Sequence, residues 1–450
     1  MSDAIPCSLH NRRPFFRSPW VIVIAALLLR LVVMGFTYKL QLDPAQDHQA
    51  FGWETGRVAR SIATGHGFSS PYPEPTGPTA LIPPVYTYLA AAVFKMFGVY
   101  TTGSALALLS LNNLFSSLTC LPVYLIARRA FGPGIAAWAG WAWAVFPYSI
   151  ALSNVVIWET SLTTLLFVAL LLMTLHLERS KSLTAWIGYG LLWGFAGLTS
   201  PVILSVLPFL GGWIWIRQWR LGSNCSGVAI VASLFFLMVV TPWIWRCSQT
   251  YGRFVAFRGN FGMEILVGNS DDTSSPANWS VLPGSNSSEL AKLRQVGEPA
   301  YMAEKQREAD ELIEQHPKRF LNLTLHRILN TWTGLWNFPP HWSLDGSGLP
   351  HVVTYSLLSF FAFIGLGWAI HDKCDGAIPF ALVLLFFPAV YYLTHSDMGF
   401  RHPIDPLMVI LAVYGASSLR RNNPKLSWSD TTNTPQDESC PFGSRARDSG

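Results

Sequence analysis

Charge is what this sequence has least of. Only 13% of its 450 residues are Asp, Glu, Lys or Arg, where an ordinary soluble domain carries about 25%. So little charge argues against a water-soluble enzyme built around a large core. Cysteine is sparse as well. Cys7, Cys120, Cys225, Cys247, Cys374 and Cys440 show no paired spacing, so neither a disulfide framework nor a zinc site is expected. The sequence also lacks a phosphate-binding glycine-rich loop and any strong internal repeat. The net charge of +5 is an excess of the kind that cytoplasmic loops of a membrane protein carry, and it does not call for nucleic acid.

What fills the chain instead is apolar. Half of it is hydrophobic, with 19 Trp and 28 Phe, and its mean hydropathy is +0.31. A helix needs about 20 apolar residues to cross a bilayer, and lipid tolerates no irregular exposed backbone. Ten stretches qualify, at roughly 19–38, 104–126, 134–151, 156–176, 183–200, 202–217, 226–245, 351–370, 377–394 and 403–418. Arg12, Arg13 and Arg17 precede the first, which is too long for a signal peptide and reads as a spanning helix. The expected class is an all-α polytopic membrane protein.

The excess of Lys and Arg on the cytoplasmic side sets orientation. With ten spans both termini lie inside, and each inner turn has a basic residue: Arg128 and Arg129, Arg179 and Lys181, Arg217 and Arg220, Lys373, then Arg420 and Arg421. Residues 81–97, with Pro83 and Pro84 near their start, are slightly short to cross. Letting them span would move Arg128 and Arg129 outside, so they are laid on the outer face or dip in partly. Two long outer segments result, 39–103 and 246–350. Within the second, 298–316 reads as a solvent-side helix. Residues 318–336 carry Phe320, Leu321, Leu325, Ile328, Leu329 and Trp332 at helical spacing, which suits either the membrane surface or packing across the top of the bundle. Residues 1–18 are expected to be a cytoplasmic segment and 419–450 a disordered cytoplasmic tail.

The outer segments hold the ionisable residues. The stretch DHQAFGWETGRVARSIATGHGF, residues 47–68, brings Asp47, Glu54, Arg57 and Arg60 just past the first span. Together with PTALIPPVYTYLAAAVFKMFG, LIARRAFG (125–132) and RHPIDPLMVILAVYG (401–415), in this order and on this topology, it resembles the polytopic glycosyltransferases of the GT-C type. The resemblance is to bacterial relatives of the protein O-mannosyltransferases and of the aminoarabinose transferase that modifies lipid A, and it covers about residues 20–418.

That resemblance implies a bundle of the GT-C type and an inverting transfer of a sugar from a polyprenyl-phosphate carrier to a lipid, glycan or protein acceptor. The reaction is expected at the periplasmic face of a bacterial inner membrane, with membrane lipids as surroundings and no cofactor. An acid just past the first helix takes the acceptor's proton, and the phosphate leaves as an anion. The acidic place, counted back from Gly65, falls on Ala50 and Phe51, so the base is contested between Asp47 and Glu54. Glu159, near the outer start of the fourth span, is a second carboxylate for the site. Arg401, with His402 beside it and Asp405 one turn on to orient it, suits the donor phosphate, because a guanidinium fork makes two bonds. Arg258, Arg57 and the aromatic Tyr86 are further substrate-binding candidates. The ordinary alternatives are an ion pair between Glu54 and Arg57, a helix cap at Asp47, an interfacial anchor at Arg401 and core packing at Tyr86. No defined metal-ligand set is visible. Arg30, inside the first span, needs a partner or must reach outward. The rival function is a transporter or flippase of lipid-linked or sugar substrates, which would more readily show duplicated halves.

Overall fold

The computed structural model describes residues 15–41, 51–270, 277–336, 348–397 and 399–421. Asp47 and the tail from 422 onward lie outside them. Helices make up the described fold, and a lone bridge between Ser69 and Pro78 is the β pairing found among these residues.

The chain opens with α1 (Pro19–Gln41). Two short helices follow, α2 (Glu54–Ala63) and α3 (Pro84–Phe97). The rods α4 (Thr102–Leu118) and α5 (Cys120–Phe131) run on as one apolar stretch. Next come α6 (Pro133–Ala144), α7 (Pro147–Val155), α8 (Thr160–Leu177) and α9 (Leu183–Thr199). A short 3-10 turn leads into α10 (Leu207–Arg220), and α11 (Ser226–Tyr251) follows. Four helices then form a cap: α12 (Phe261–Asn269), α13 (Ser287–Val296), α14 (Glu298–Gln315) and α15 (Pro317–Thr333). The chain returns to the bundle with α16 (Leu349–His371), α17 (Ala377–Phe386), α18 (Ala389–Leu393) and α19 (Asp405–Arg421).

Each of the ten expected spans is helical over most of its length. Six described stretches are long and apolar enough to cross a membrane, and the bent pair α6–α7 makes a possible seventh. The others fall short for identifiable reasons. Helices α9 and α19 have 17 residues each, and the 377–394 stretch breaks at Phe387 and Pro388 into α17 and α18. Residues 81–97 yield the 14-residue α3, which lies between α2 and α4.

Small residues let the rods approach. A Cβ on Gly365 would collide with the Leu411 carbonyl, and one on Gly190 with that of Ala232. These are the closest crossings, α16 on α19 and α9 on α11, of the small-residue kind that membrane bundles favour.

Among the described residues Arg30 finds no carboxylate. It is fully buried, and its Nε and Nη donors reach Ser116 Oγ at 3.0 Å, Ser149 Oγ at 2.7 Å and the carbonyls of Ala26, Ala144 and Trp143 at 3.2, 2.9 and 3.4 Å. The last two carbonyls belong to the end of α6. Pro147 opens α7 and has no N–H to offer them, so the guanidinium caps the 40° bend between α6 and α7. Arg30→Met should therefore leave the buried Ala144 carbonyl without a donor, at about 1–3 kcal/mol, while the Trp143 carbonyl keeps the Phe146 N–H at 3.2 Å. A clearly lower melting temperature in detergent is expected, and an unchanged one would show that the bend holds itself.

The basic turns gather at one end of the bundle. Glu178, 2% exposed, takes Arg217 Nε at 2.6 Å and Arg129 Nη2 at 3.2 Å. Arg179 meets Asp375 at 3.7 Å, and Gln218 donates to the Leu177 carbonyl at 2.8 Å. The ends of α5, α8 and α10 and the turn before α17 thus share one face, and the candidate site occupies the other.

Candidate functional site

The turn before α2 builds the first wall. Gly52 takes φ +80°, and a Cβ there would strike the Ile157 carbonyl. Trp53, itself at φ 44°, packs against Trp158 with ring centroids 5.5 Å apart and planes tilted by 53°. The turn is therefore pressed against residues 157–158. Glu54 begins α2 and Glu159 directly follows Trp158, so the two carboxylates become neighbours in one electrostatic field. Both keep some accessible surface although protein surrounds them, as residues lining a recess do. Neither makes a side-chain hydrogen bond or ion pair among the described residues. Burial pushes the Glu54 carboxyl above its ordinary range; Glu264 adds to the rise, while Arg57 and Arg258 oppose it.

Arg258 forms the second wall. Its Nε donates to the Leu81 carbonyl at 2.6 Å and its Nη2 to Glu264 Oε1 at 3.2 Å. Asn260 holds the same carboxylate oxygen at 2.6 Å, and His395 Nδ1 stands 3.6 Å from Glu264 Oε2. Arg258 acts on Glu54, on Glu159 and on Tyr391, so all three lie within its electrostatic range.

The loop 68–82 is clasped from outside. Arg246 lies against Phe68 and Trp243 and donates to the carbonyls of Phe68, at 2.7 Å, and Thr79. Glu298, 2% exposed, accepts from the Ala80 N–H and the Tyr251 hydroxyl, both at 2.8 Å. Burial raises its carboxyl even so. This clasp fixes the Leu81 carbonyl on which Arg258 rests.

A narrow recess adjoins, lined by Asn330, Thr331, His351, Tyr391, Ser396 and Arg401 among others. Tyr391 borders both spaces, since Glu159 and Arg258 act on it too. Arg401 is buried. Its Nε donates to Asp405 Oδ1 at 2.8 Å, and its Nη1 to Thr331 O, Ser359 Oγ and Trp332 O at 3.1, 3.1 and 3.4 Å. The guanidinium carbon lies 3.6 Å from the centre of the Tyr355 ring. Its Nη2 makes no hydrogen bond among the described residues. A charged nitrogen is thus left over in a buried place while the other two are engaged, where polar groups are normally partnered.

Of the residues singled out in the sequence, Glu54, Glu159 and Arg258 come together, and Arg401 stands in the adjoining recess, oriented by Asp405 as the i,i+4 spacing suggested. Asp47 is outside the described residues. Arg57 is buried on α2, with Nη1 3.5 Å from the Pro71 carbonyl. His402 lies 3.3 Å from Asp405 and stacks on Trp143, which places it in the support behind Arg401. The Tyr86 hydroxyl donates to Asn112 Oδ1 at 2.8 Å, and its ring lies in the apolar cluster behind α2. Glu264, Glu298, Tyr355 and Tyr391 were missed. Glu264 had the one usable signal, a carboxylate six residues after Arg258. Among the described residues no group of three or more His, Cys, Asp or Glu could hold a metal.

Residues 82–245 match the sequence pattern of the family described as dolichyl-phosphate-mannose-protein mannosyltransferase. No curated protein matches the chain. Among solved structures, the oligosaccharyltransferase of Archaeoglobus fulgidus tethered with an acceptor peptide containing the NVT sequon is 14% identical, with a TM-score of 0.53 over 91% of this chain and 51% of that one. The archaeal oligosaccharyltransferase AglB of the same organism, in complex with an inhibitory peptide and a dolichol-phosphate, is 16% identical, with a TM-score of 0.52 over 90% and 50%. The chain thus spans about half the length of these structures, and at such identity the likeness is one of fold. The chain shares the fold of these oligosaccharyltransferase structures, and over residues 82–245 it carries the sequence pattern of the family described as dolichyl-phosphate-mannose-protein mannosyltransferase.

Proposed function

We propose that this protein transfers a sugar, with inversion, from a polyprenyl-phosphate carrier to a lipid, glycan or protein acceptor at the periplasmic face of a bacterial inner membrane. One observation carries the reading. Glu54 and Glu159, from two distant segments, are brought together by the contacts of Gly52 with Ile157 and of Trp53 with Trp158, within electrostatic range of Arg258 and beside a recess lined by Arg401, at the end of the bundle opposite the basic turns. A carboxylate, Glu54 or Asp47, takes the acceptor proton as the new glycosidic bond forms. Glu159 stabilises positive charge at the sugar ring, as carboxylates do in glycosyl transfer. The bond from the anomeric carbon to phosphate oxygen breaks, and its electron pair leaves with the phosphate. Arg401 and Arg258 stabilise that departing charge. A phosphate leaves readily as an anion and needs no acid catalyst.

The same reading gives ten spans with both termini inside, and outer segments 39–103 and 246–350 that shape acceptor choice. Membrane vesicles of both orientations, supplied with a panel of polyprenyl-phosphate sugars, test it. Right-side-out vesicles should consume one donor and form a product of inverted anomeric configuration. If no lipid-linked sugar is consumed in either orientation, or only inverted vesicles act, the proposal fails.

A further inference from the structure

Helix α15 has two unlike faces. On one, Arg327 is buried and donates to the carbonyls of Tyr392, Leu393 and Gly268 and to Asn269 Oδ1. The last turn is pinned as well. Ser359 Oγ donates to the Trp332 carbonyl at 2.5 Å, Ser356 Oγ to the Thr333 carbonyl at 3.2 Å, and Trp332 Nε1 to the Tyr392 hydroxyl at 2.9 Å. The other face carries Leu321, Leu325 and Leu329, exposed by 60%, 56% and 48%. Their i, i+4, i+8 spacing makes one stripe.

Three observations say what covers that stripe. From Pro317 to Thr333 there is no acid, while Lys318 and Arg319 open the helix and His326 stands exposed. The next helix, α16, is of membrane length and exposes Leu349, Val353, Leu357 and Phe360. Ser356 and Ser359 tie the end of α15 directly to that lipid-length rod. An acid-free amphipathic helix with an apolar stripe and an exposed lysine at its start, joined to a spanning helix, has the chemistry of a segment lying in the membrane interface.

We propose that the Leu321–Leu325–Leu329 face of α15 is seated in the outer headgroup boundary of a bilayer containing anionic lipid, with the exposed Lys318 at the headgroups and Arg319 held to the Ser270 carbonyl. The seat has a consequence for the site. Thr331 and Trp332, in the last turn of α15, supply the carbonyls that hold Arg401 Nη1, and Asn330 and Thr331 line the recess. The depth of α15 in the lipid therefore sets the depth of the recess and of Arg401. This consequence rests on the proposed use of a lipid-linked donor; the seat itself does not.

Nitroxide labels at Leu321→Cys, Leu325→Cys, Leu329→Cys and His326→Cys, in the full chain with its native cysteines replaced, test the seat in nanodiscs of anionic lipid. The three leucine positions should be more accessible to lipid-dissolved oxygen than to an aqueous nickel chelate, and position 326, exposed and turned about 100° from the stripe, the reverse. Nickel-accessible leucine labels would mean a solvent-facing helix. Leucine labels shielded from both reagents would mean a second copy or another protein on this face. Either result overturns the seat. Because this readout needs no substrate, it stands apart from failure of the proposed transfer. The double variant Leu325→Asn, Leu329→Asn should raise the KM for lipid-linked donor about fivefold or more while kcat stays close to that of the parent chain. An unchanged KM would overturn the link between the seat and Arg401.

Discussion

Glu54→Gln is expected to lower turnover about a hundredfold or more without unfolding the protein, because a positioned general base contributes on the order of 10²–10⁴. The amide keeps the shape of the side chain and cannot accept a proton. The stability side has a definite sign. Burial holds the Glu54 carboxyl above its ordinary range, so the folded protein binds its proton more tightly than the unfolded chain does. Stability from this group is therefore greatest below the unfolded pKa and declines as pH rises through the folded one. At neutral pH the charged form is a burden, and Gln removes it. The variant should melt no lower than the parent chain while turning over far more slowly. In the parent, turnover should fall as pH drops through the raised pKa of Glu54. Asp47→Asn, assayed in parallel, settles the contest between the two acids. Unchanged turnover in both variants would sink the assignment of the base to this stretch, and a lower melting temperature in Glu54→Gln would recast Glu54 as structural.

How far could these features be read from the sequence? The long apolar runs were legible because lipid imposes length and composition together, and α11 and α16 follow their runs closely. The bend at Pro147 was less legible, since an apolar count over 134–151 does not reveal that Arg30 caps it. At the site, Glu54 and Glu159 were visible as carboxylates in an uncharged chain, where each ionisable group needs a reason. Their meeting was not visible. It depends on Gly52 fitting under the Ile157 carbonyl and on Trp53 packing against Trp158, contacts across about a hundred residues of chain. The clasp of Glu298 on the Ala80 N–H spans 218 positions. No local pattern encodes it, and the same residue reads in sequence as the start of a solvent-side helix. For Tyr86 the sequence left a substrate groove and core packing both open, and the structure places its ring in the apolar cluster behind α2 with the hydroxyl donated to Asn112.

Arg401→Lys should spare the fold and weaken the donor. The guanidinium now spends Nε on Asp405 and Nη1 on Thr331, Trp332 and Ser359, and it holds Nη2 unengaged at the recess. One ammonium nitrogen can take over the ion pair or face the recess; it lacks the fork that does both. A rise of about tenfold or more in the KM for lipid-linked donor is therefore expected, with a smaller change in kcat, since the lost contact is to the phosphate that donor and transition state share. Arg401→Ala goes further. It strands the fully buried Asp405 with His402 at 3.3 Å and the Tyr355 hydroxyl at 3.4 Å, and removing one partner of a buried ion pair costs about 3–5 kcal/mol. Loss of folded protein in that variant is the expected result and tells nothing of the donor. Pairing Arg401→Ala with Asp405→Asn removes the stranded charge and should recover much of the fold while leaving the donor KM high. If Arg401→Lys binds lipid-linked donor as tightly as the parent chain, Nη2 faces no phosphate, and Arg401 is the brace that joins α15, α16 and α19.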